Sequence, residues 1–256
     1  MKHYDAYIFD LYGTLVDIHT DENKISLWRQ TADFYTSHGA EYEAGELKQA
    51  CYGKVRAAEQ EAKAAENRGK AHESCPEIDL GEVFRQLFLE KGVPADEGMV
   101  VEATDVFRRG ATTHIRTYAG AHELLDALRE SGSKVYLLSN AQRLFTLPEL
   151  RNLGLLERFD DIFISSDYGC KKPDVRFFQE LIDRHSLDAS KCLMIGNDPV
   201  CDILGGRNAG MDTYYIHSAL SPQPAPPLHG RGKLMATYYQ MEMNLRRVKR
   251  RLLNTP

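Results

Sequence analysis

The chain has 256 residues, of which 43% are hydrophobic, and it carries a formal net charge of −5 at pH 7. This length and composition allow one large domain, or a core domain with a smaller second one. The negative net charge argues against nucleic acid or an anionic membrane as the main partner, and no apolar run reaches the roughly 18 residues that a membrane-spanning helix needs.

The cysteine content and the first residues indicate a cytoplasmic protein. The five cysteines are odd in number and show no CxxC spacing, which argues against a disulfide framework and against a cysteine-zinc site. The first ten residues contain two acids and pass directly into an apolar run, which is not the pattern of a signal peptide. We therefore expect a reducing, cytoplasmic environment.

The first predicted element is a short buried strand. Residues 7–9 are apolar, end at Asp10 and are followed by Gly13 and Thr14, as expected for a strand that leads into a loop. From residue 18 to about 110, residues of high helix propensity dominate and apolar positions recur at helical spacing, with no strand pattern between them. We predict that residues 18–111 form a helical cap inserted after the first strand.

The rest of the chain alternates between strand and helix patterns. Strands are predicted at 134–138, 162–164, 192–195 and 213–216, and helices at 120–131, within 141–153, at 173–185 and at 202–210. This alternation implies a parallel sheet built by right-handed crossovers. The predicted fold class is therefore α/β, with a Rossmann-like parallel-sheet core flanked by helices.

The predicted domains follow from these elements. Residues 1–17 and 112–235 form the core and residues 18–111 the cap. A proline-rich segment at 221–227 predicts a loop. Residues 236–256 form a basic C-terminal tail, for which we predict a helix whose surroundings are mainly solvent.

Polar clusters follow four of the predicted parallel strands. They are Asp10 to Thr14, Ser139-Asn140, Lys171-Lys172-Pro173, and Asn197 to Asp202. In an open α/β sheet the carboxyl ends of the strands are the edge at which ligands bind. Because each cluster has a different chemical character, we predict a composite active site at this edge.

These four clusters, in this order, resemble the motifs of the haloacid dehalogenase superfamily of aspartate-nucleophile hydrolases. The resemblance covers about residues 1–17 and 112–220, and the helical insertion lies where that family has a small mobile cap. The matching segments are FDLYGTL at 9–15, LLSN at 137–140, KPD at 172–174 with FF at 177–178, and IGND at 195–198 with Asp202.

The chemistry of the residues agrees with this resemblance. The Asp10 carboxylate is the predicted nucleophile, and it needs an aligned substrate and neutralised charge to react. Ser139 and the backbone near Asn140 can bind anionic oxygens, and Lys172 can offset the charge between Asp10 and an anionic substrate. Asp198, together with Asp10, supplies the hard oxygen ligands that Mg²⁺ prefers.

The resemblance adds the backbone carbonyl of Tyr12 as a third magnesium ligand, and Asn197 and Asp202 as supporting residues. Simpler roles stay open for several of these positions. Asp10 and Asp198 also suit a turn, Thr14 either bonds Asp10 or only packs, and Ser139-Asn140 suits a helix N-cap. Lys171 competes with Lys172, either of which could be solvated, and Asp202 could simply begin a helix.

Tyr12 departs from the phosphatases of this family, which usually carry a second aspartate there as general acid and base. A tyrosine with a pKa near ~10 is a poor general base at neutral pH, and this motif is typical of the family's 2-haloacid dehalogenases. His19 and Arg29 also resemble dehalogenase residues, with Arg29 as a candidate substrate binder, although its spacing from the first motif is short for that role and favours a solvated helix arginine. The retained Asp198 and Asp202, in contrast, favour the phosphatases.

Three functions follow from these features. The leading one is Mg²⁺-dependent hydrolysis of a small phosphomonoester through a phospho-Asp10 intermediate. The second is a metal-independent 2-haloacid dehalogenase, and the third is a protein that binds a phosphorylated ligand with little turnover. For each we expect a small anionic ligand, no nucleic-acid or membrane partner, and a monomer or homodimer.

Overall fold

The computed structural model describes residues 3–66, 75–223 and 245–253. Within these ranges no helix combines the length and apolar character that crossing a bilayer requires. The strands are β1 (Ala6–Phe9), β2 (Val16–Thr20), β3 (Thr112–Thr117), β4 (Lys134–Ser139), β5 (Asp161–Ile164), β6 (Cys192–Gly196) and β7 (Asp212–Tyr215).

The helices divide between the insertion and the remainder of the chain. The α-helices are α1 (Ile25–Ser37), α2 (Ala44–Glu66), α3 (Leu80–Glu90), α4 (Glu97–Ala111), α5 (Ala121–Glu130), α6 (Arg143–Asn152), α7 (Val175–His185), α8 (Gly205–Asn208) and α9 (Leu245–Leu253). A π-helix (Pro199–Leu204) precedes α8, and short 3₁₀ turns lie at Leu156–Arg158, Ser165–Asp167 and Ala189–Lys191.

Five strands form a parallel sheet in the order β5-β4-β1-β6-β7. Its central strand, β1, is buried on both faces, as expected for a sheet covered by helices on both sides. Tyr7 and Phe9 face the apolar layer built with α5 and α9, whereas Ala6 and Ile8 face the layer built with α7. This architecture confirms the predicted fold class.

The helical insertion has an apolar core of its own, to which α6 contributes Phe145. Residues from α1, α2, α3 and α4 form this core, among them Leu27, Trp28, Leu47, Cys51, Phe84, Phe88, Val100 and Phe107. The insertion therefore buries its apolar surface largely within itself, and its core meets the sheet domain at α6.

An antiparallel ribbon of β2 and β3 stands at the two ends of the insertion. The prediction that no strand interrupts this region is wrong for residues 18–20, and β3 was not predicted at all. No residue of β3 is buried, and β2 has only Val16 and Ile18 as apolar residues. Their β-branched residues suit a strand, but runs with so few apolar residues give little hydrophobic periodicity.

Two predicted helix starts also need correction. Pro173 lies outside the first turn of its helix, because α7 begins at Val175 and the Asp174 side chain caps it by accepting from the Arg176 amide at 2.9 Å. The helix predicted at 202–210 begins earlier, as the π-helix, and continues as α8.

The basic tail contains α9, which is not simply surrounded by solvent. Leu245, Val248 and Leu252 are buried against the α5 layer, while Arg246 and Arg250 are exposed. The tail prediction is therefore wrong for one face of the helix. The remaining tail residues, 236–244 and 254–256, and residues 224–227 of the predicted loop lie outside the described ranges.

Candidate active site

Asp10 and Lys172 meet at the carboxyl edge of the sheet. Asp10 follows β1, is 8% exposed, and its backbone amide donates to the Ile195 carbonyl at 2.9 Å. The Nζ atom of Lys172 donates to Asp10 Oδ1 at 2.9 Å, to Asp202 Oδ1 at 2.7 Å and to the Leu138 carbonyl at 2.7 Å. Three acceptors thus satisfy a buried ammonium group, and of the two candidate lysines it is Lys172 that faces Asp10.

The electrostatics of this cluster keep Lys172 protonated. Burial alone would lower the pKa of Lys172, but the carboxylates of Asp10 and Asp202 outweigh it and hold the pKa above its ordinary value. Burial raises the pKa of Asp202, which the Lys172 ammonium opposes and the Asp10 carboxylate reinforces. Lys172 is therefore the charge that makes the two buried carboxylates tolerable.

Thr14 and Asn197 fix the other side of the Asp10 carboxylate. The Thr14 hydroxyl lies 3.1 Å from Asp10 Oδ2 and 3.1 Å from Asn197 Oδ1. Gly13 has φ +87°, and a Cβ there would lie 2.3 Å from Asn197 Nδ2. Only glycine combines this left-handed conformation with so close an approach, so the loop after β1 holds Asp10 and Thr14 in place.

Ser139 and Asn140 end β4 beside this cluster, and neither caps a helix. The N-cap of α6 is Gln142. Ser139 is 1% exposed, and its hydroxyl has no hydrogen-bond partner among the described residues, so it can serve a ligand oxygen. The Asn140 side chain instead exchanges two hydrogen bonds with the Lys172 backbone, at 2.9 and 2.8 Å.

The Asp198 to Asp202 segment closes the site beyond β6. Asp198 Oδ1 accepts from the amides of Val200 and Cys201, both at 2.8 Å, so Asp198 caps the π-helix. Asp202 does not begin that helix. It lies within it, 1% exposed, and its Oδ2 accepts from the Asp198 amide at 2.9 Å. The Asp198 side chain is partly exposed, and its backbone bond to Asp202 places it next to the buried Lys172 cluster.

The donor atoms that the sequence predicts as magnesium ligands are oxygens, the type that Mg²⁺ prefers. Among the residues that the structure describes, no three His, Cys, Asp or Glu side chains are grouped to hold a metal. The expected set has only two carboxylates, Asp10 and Asp198, with the Tyr12 carbonyl. Mg²⁺ is commonly held by one or two carboxylates, with water and substrate phosphate completing the shell, so this donor set suits it.

The Tyr12 side chain turns toward α6, where the insertion meets the sheet domain. Its hydroxyl donates to Glu149 Oε2 on α6 and lies 3.2 Å from Thr146 Oγ1. Burial and then the negative charge of Glu149 raise the pKa of Tyr12, while the Arg108 guanidinium opposes this. The hydroxyl is thus held neutral and engaged, which makes it a poor substitute for an aspartate in acid–base catalysis.

Arg108 joins the insertion to the sheet domain at this point. From α4 its Nε donates to Glu149 Oε1 at 2.6 Å, and its guanidinium carbon lies 5.0 Å from the centre of the Phe145 ring. No local pattern singles out Arg108 or Glu149, because 41 positions separate them and only the packing of α4 on α6 joins them.

A cleft of about 530 Å³ lies beside Tyr12, between the insertion and the sheet domain. Its walls come from the first loop, β2, α4, the turn after β4, α6 and the segment after β7. The lining residues are Tyr12, Ile18, His19, Thr20, Arg108, Asn140, Ala141, Gln142, Phe145, Thr146 and Leu220. The structure does not bring Arg29 to this cleft: Arg29 lies exposed on the outer face of α1, and Arg108 is the arginine in the wall.

Comparison with known proteins identifies the family of this chain. The family model for haloacid dehalogenase-like hydrolases matches residues 4–210. The pyrimidine 5'-nucleotidase PynA of Streptococcus pneumoniae is 36% identical over 103 residues, covering 40% of this chain and 44% of PynA. The glyceraldehyde 3-phosphate phosphatase of Methanothermobacter thermautotrophicus is 27% identical over 154 residues, covering 54% of this chain and 68% of that enzyme.

A further relative, YfnB of Bacillus subtilis, is described as a putative hydrolase of the same family. It is 30% identical over 140 residues, covering 54% of this chain and 58% of YfnB. The chain thus spans about half the length of PynA and YfnB. A magnesium-bound crystal structure of YfnB superposes with a TM-score of 0.52 at 23% identity, covering 98% of this chain and 100% of YfnB, and shares the fold.

Proposed function

Because the chain belongs to the haloacid dehalogenase-like hydrolases, we propose that it is a Mg²⁺-dependent phosphatase of small phosphomonoesters that works through a phospho-Asp10 intermediate. Relatives named as a pyrimidine 5'-nucleotidase, PynA, and as a glyceraldehyde 3-phosphate phosphatase support the reaction class. The distribution of charged side chains around Asp10 supports the binding of Mg²⁺.

The balance of charge around Asp10 is the observation that carries the proposal. The carboxylates of Asp10 and Asp202 both accept from the one ammonium group of Lys172, and a third carboxylate belongs to Asp198, whose backbone amide donates to Asp202. Carboxylates grouped in this way repel one another and repel an anionic substrate unless a further cation lies between them. A site that only displaced halide would use the Asp198 carboxylate solely as the cap of the π-helix.

The proposed roles follow from the contacts. Thr14 and Lys172 hold the Asp10 carboxylate so that one oxygen can attack phosphorus in line, which forms the acyl-phosphate and breaks the bond to the leaving oxygen. The leaving oxygen departs as an alkoxide and takes its proton from water, because Tyr12 does not supply one. The Ser139 hydroxyl and the backbone near Asn140 receive phosphoryl oxygens. Water then attacks the phosphorus of the acyl-phosphate, which returns the Asp10 carboxylate and releases phosphate.

Asp10, Asp198 and the Tyr12 carbonyl would hold the magnesium ion, with Asn197 and Asp202 in support. When bound, the ion supplies positive charge that offsets the charge of the substrate phosphate. YfnB, which is 30% identical to this chain over 140 residues, has a crystal structure described as bound to magnesium. We assign residues 18–111 the role of a cap, which selects substrates by the group that carries the phosphate.

The decisive experiment is a panel of phosphomonoesters assayed with Mg²⁺ and with EDTA, using the intact chain. We expect turnover that requires Mg²⁺ and that is lost in the Asp10→Asn variant. Mass spectrometry of acid-quenched wild-type protein should detect one added phosphoryl group, absent from that variant. Turnover of a phosphate ester that is unchanged by EDTA would contradict the proposal.

Tyr12 supports a second candidate, a metal-independent 2-haloacid dehalogenase. Halide leaves without a proton, so a neutral tyrosine at this position would cost that reaction nothing. Halide release from L-2-chloropropionate in EDTA, lost in Asp10→Asn, would establish this function in place of the first.

A further inference from the structure

A segment of the insertion, residues 75–80, lies against the sheet domain and is here named the clasp. The Lys171 amide donates to the Cys75 carbonyl at 2.9 Å, and the Glu77 amide donates to the Gly169 carbonyl at 2.9 Å. Pro76 and Cys170 face each other between these bonds as an antiparallel bridge. The clasp thus forms a short strand-like pairing with the residues immediately before Lys172.

The Glu77 side chain extends this contact into the interior. Its carboxylate is only 9% exposed, accepts from the Ser165 hydroxyl at 2.8 Å, and lies 3.4 Å from Lys171 Nζ. The Ser165 oxygen in turn accepts from the Ala141 amide at 2.9 Å. A chain of hydrogen bonds therefore runs from a buried carboxylate of the insertion, through Ser165, to the turn that follows Ser139.

Gln142 connects the same turn to the clasp a second time. Its Nε2 donates to the Ile78 carbonyl at 2.9 Å, and its Oε1 accepts from the Leu80 amide at 2.9 Å. The clasp therefore holds two turns of the proposed active site: the one after β4, proposed to bind the substrate phosphate, and the one that carries Lys172, which holds Asp10. The Asn140 side chain joins these two turns directly.

We infer that Glu77 is a positioning residue, which sets the turn after Ser139 through Ser165 and the Lys172 turn through Lys171. The inference rests on the proposed phosphatase function, which gives these two turns their task. Glu77 has no direct contact with Asp10, so its effect is on geometry. A displacement near 1 Å of such groups costs about a hundred-fold in rate.

The test compares Glu77→Ala with Glu77→Gln in the full chain. Glutamine can still accept from Ser165, whereas alanine removes the side-chain contacts to Ser165 and Lys171 and leaves the backbone bonds of the clasp in place. In the Mg²⁺ assay we expect kcat to fall about ten- to a hundred-fold in Glu77→Ala, with a smaller change in KM. In Glu77→Gln we expect a kcat close to that of the wild type. Glu82→Gln is the matched control, because Glu82 is 54% exposed and pairs with Arg85 within α3.

Hydrogen exchange gives a second readout that does not depend on catalysis. Loss of Glu77 should accelerate exchange of the Ala141 amide several-fold, with no such change in Glu82→Gln. If Glu77→Ala does not fold, Ser165→Ala removes the same connection from the other side, and the same two effects are expected.

The outcomes separate the two claims. A folded Glu77→Ala variant with wild-type kcat and wild-type exchange at Ala141 would overturn the inference. A variant that only melts earlier, with kcat per folded molecule unchanged, would also overturn it. A wild-type protein that hydrolyses no phosphate ester would refute the proposed function, and the exchange at Ala141 would still decide the positioning role.

Discussion

Lys172 donates a hydrogen bond from its buried Nζ to Oδ1 of Asp10 at 2.9 Å, across 162 positions of the sequence. The same atom donates to Asp202, so one ammonium group serves two buried carboxylates. Charges taken out of water are tolerable only while they are paired and hydrogen-bonded. This arrangement makes Lys172 important for folding as well as for the proposed chemistry.

The first prediction concerns that pairing. Lys172→Met should lower the free energy of unfolding by about 3–5 kcal/mol, because it leaves two buried carboxylates without their cation. Lys171→Met is the matched control. The Lys171 side chain is 39% exposed, so its loss should cost about 1 kcal/mol or less. Urea denaturation measures both, and equal losses in the two variants would contradict the assignment of Lys172 to the buried cluster.

The second prediction concerns the missing proton donor. Tyr12→Asp restores a carboxyl group where the family's phosphatases have one, and should raise kcat by about a hundred-fold for an alkyl phosphate, whose leaving group needs a proton. The gain should be much smaller for a nitrophenyl phosphate, because nitrophenolate leaves readily without a proton. Tyr12→Asn makes the same cavity without a titratable proton, so an equal gain in that variant would refute the explanation.

The sequence contained enough information to predict the sheet and the residues at its edge. Parallel strands bring their carboxyl ends to one edge, and the polar residues after β1, β4 and β6 therefore had to come together. Gly13 marks a turn by its chemistry alone. Alternation of apolar strands and helices is a local signal, and the local signals agreed with the fold.

What escaped prediction depends on packing between distant segments. Arg108 and Glu149 meet because α4 lies on α6, and Glu77 reaches Ser165 because the clasp pairs with the residues before Lys172. Each of these residues is an ordinary polar residue in its own local sequence. The ribbon of β2 and β3 was missed for a related reason, since each strand is recognisable only beside its partner.

The third prediction uses two glycines in opposite surroundings. A Cβ on Gly196 would lie 2.1 Å from Asp202 Oδ2 within a buried strand, so Gly196→Ala should lower the free energy of unfolding by about 1–3 kcal/mol and displace the partner of Lys172. Gly53 lies inside α2 with nothing within 4 Å of its would-be Cβ, and Gly53→Ala should stabilise the protein by about 0.5–1 kcal/mol. Thermal and urea unfolding report both, and shifts of the same sign would be inconsistent with these surroundings.

The fourth prediction tests how α9 is attached. Leu252 is 4% exposed in the layer that α9 forms with α5, and the Leu245 amide donates to the Ala119 carbonyl at 2.8 Å. The backbones approach so closely that a Cβ on Gly120 would lie 2.6 Å from the Arg246 amide nitrogen. Leu252→Ala should therefore cost about 2–3 kcal/mol, since it opens a cavity under a packed helix. Arg250→Ala, on the exposed face of the same helix, should stay within about 0.5 kcal/mol of wild type. If urea denaturation gave Leu252→Ala the stability of Arg250→Ala, α9 would not be part of the folded core.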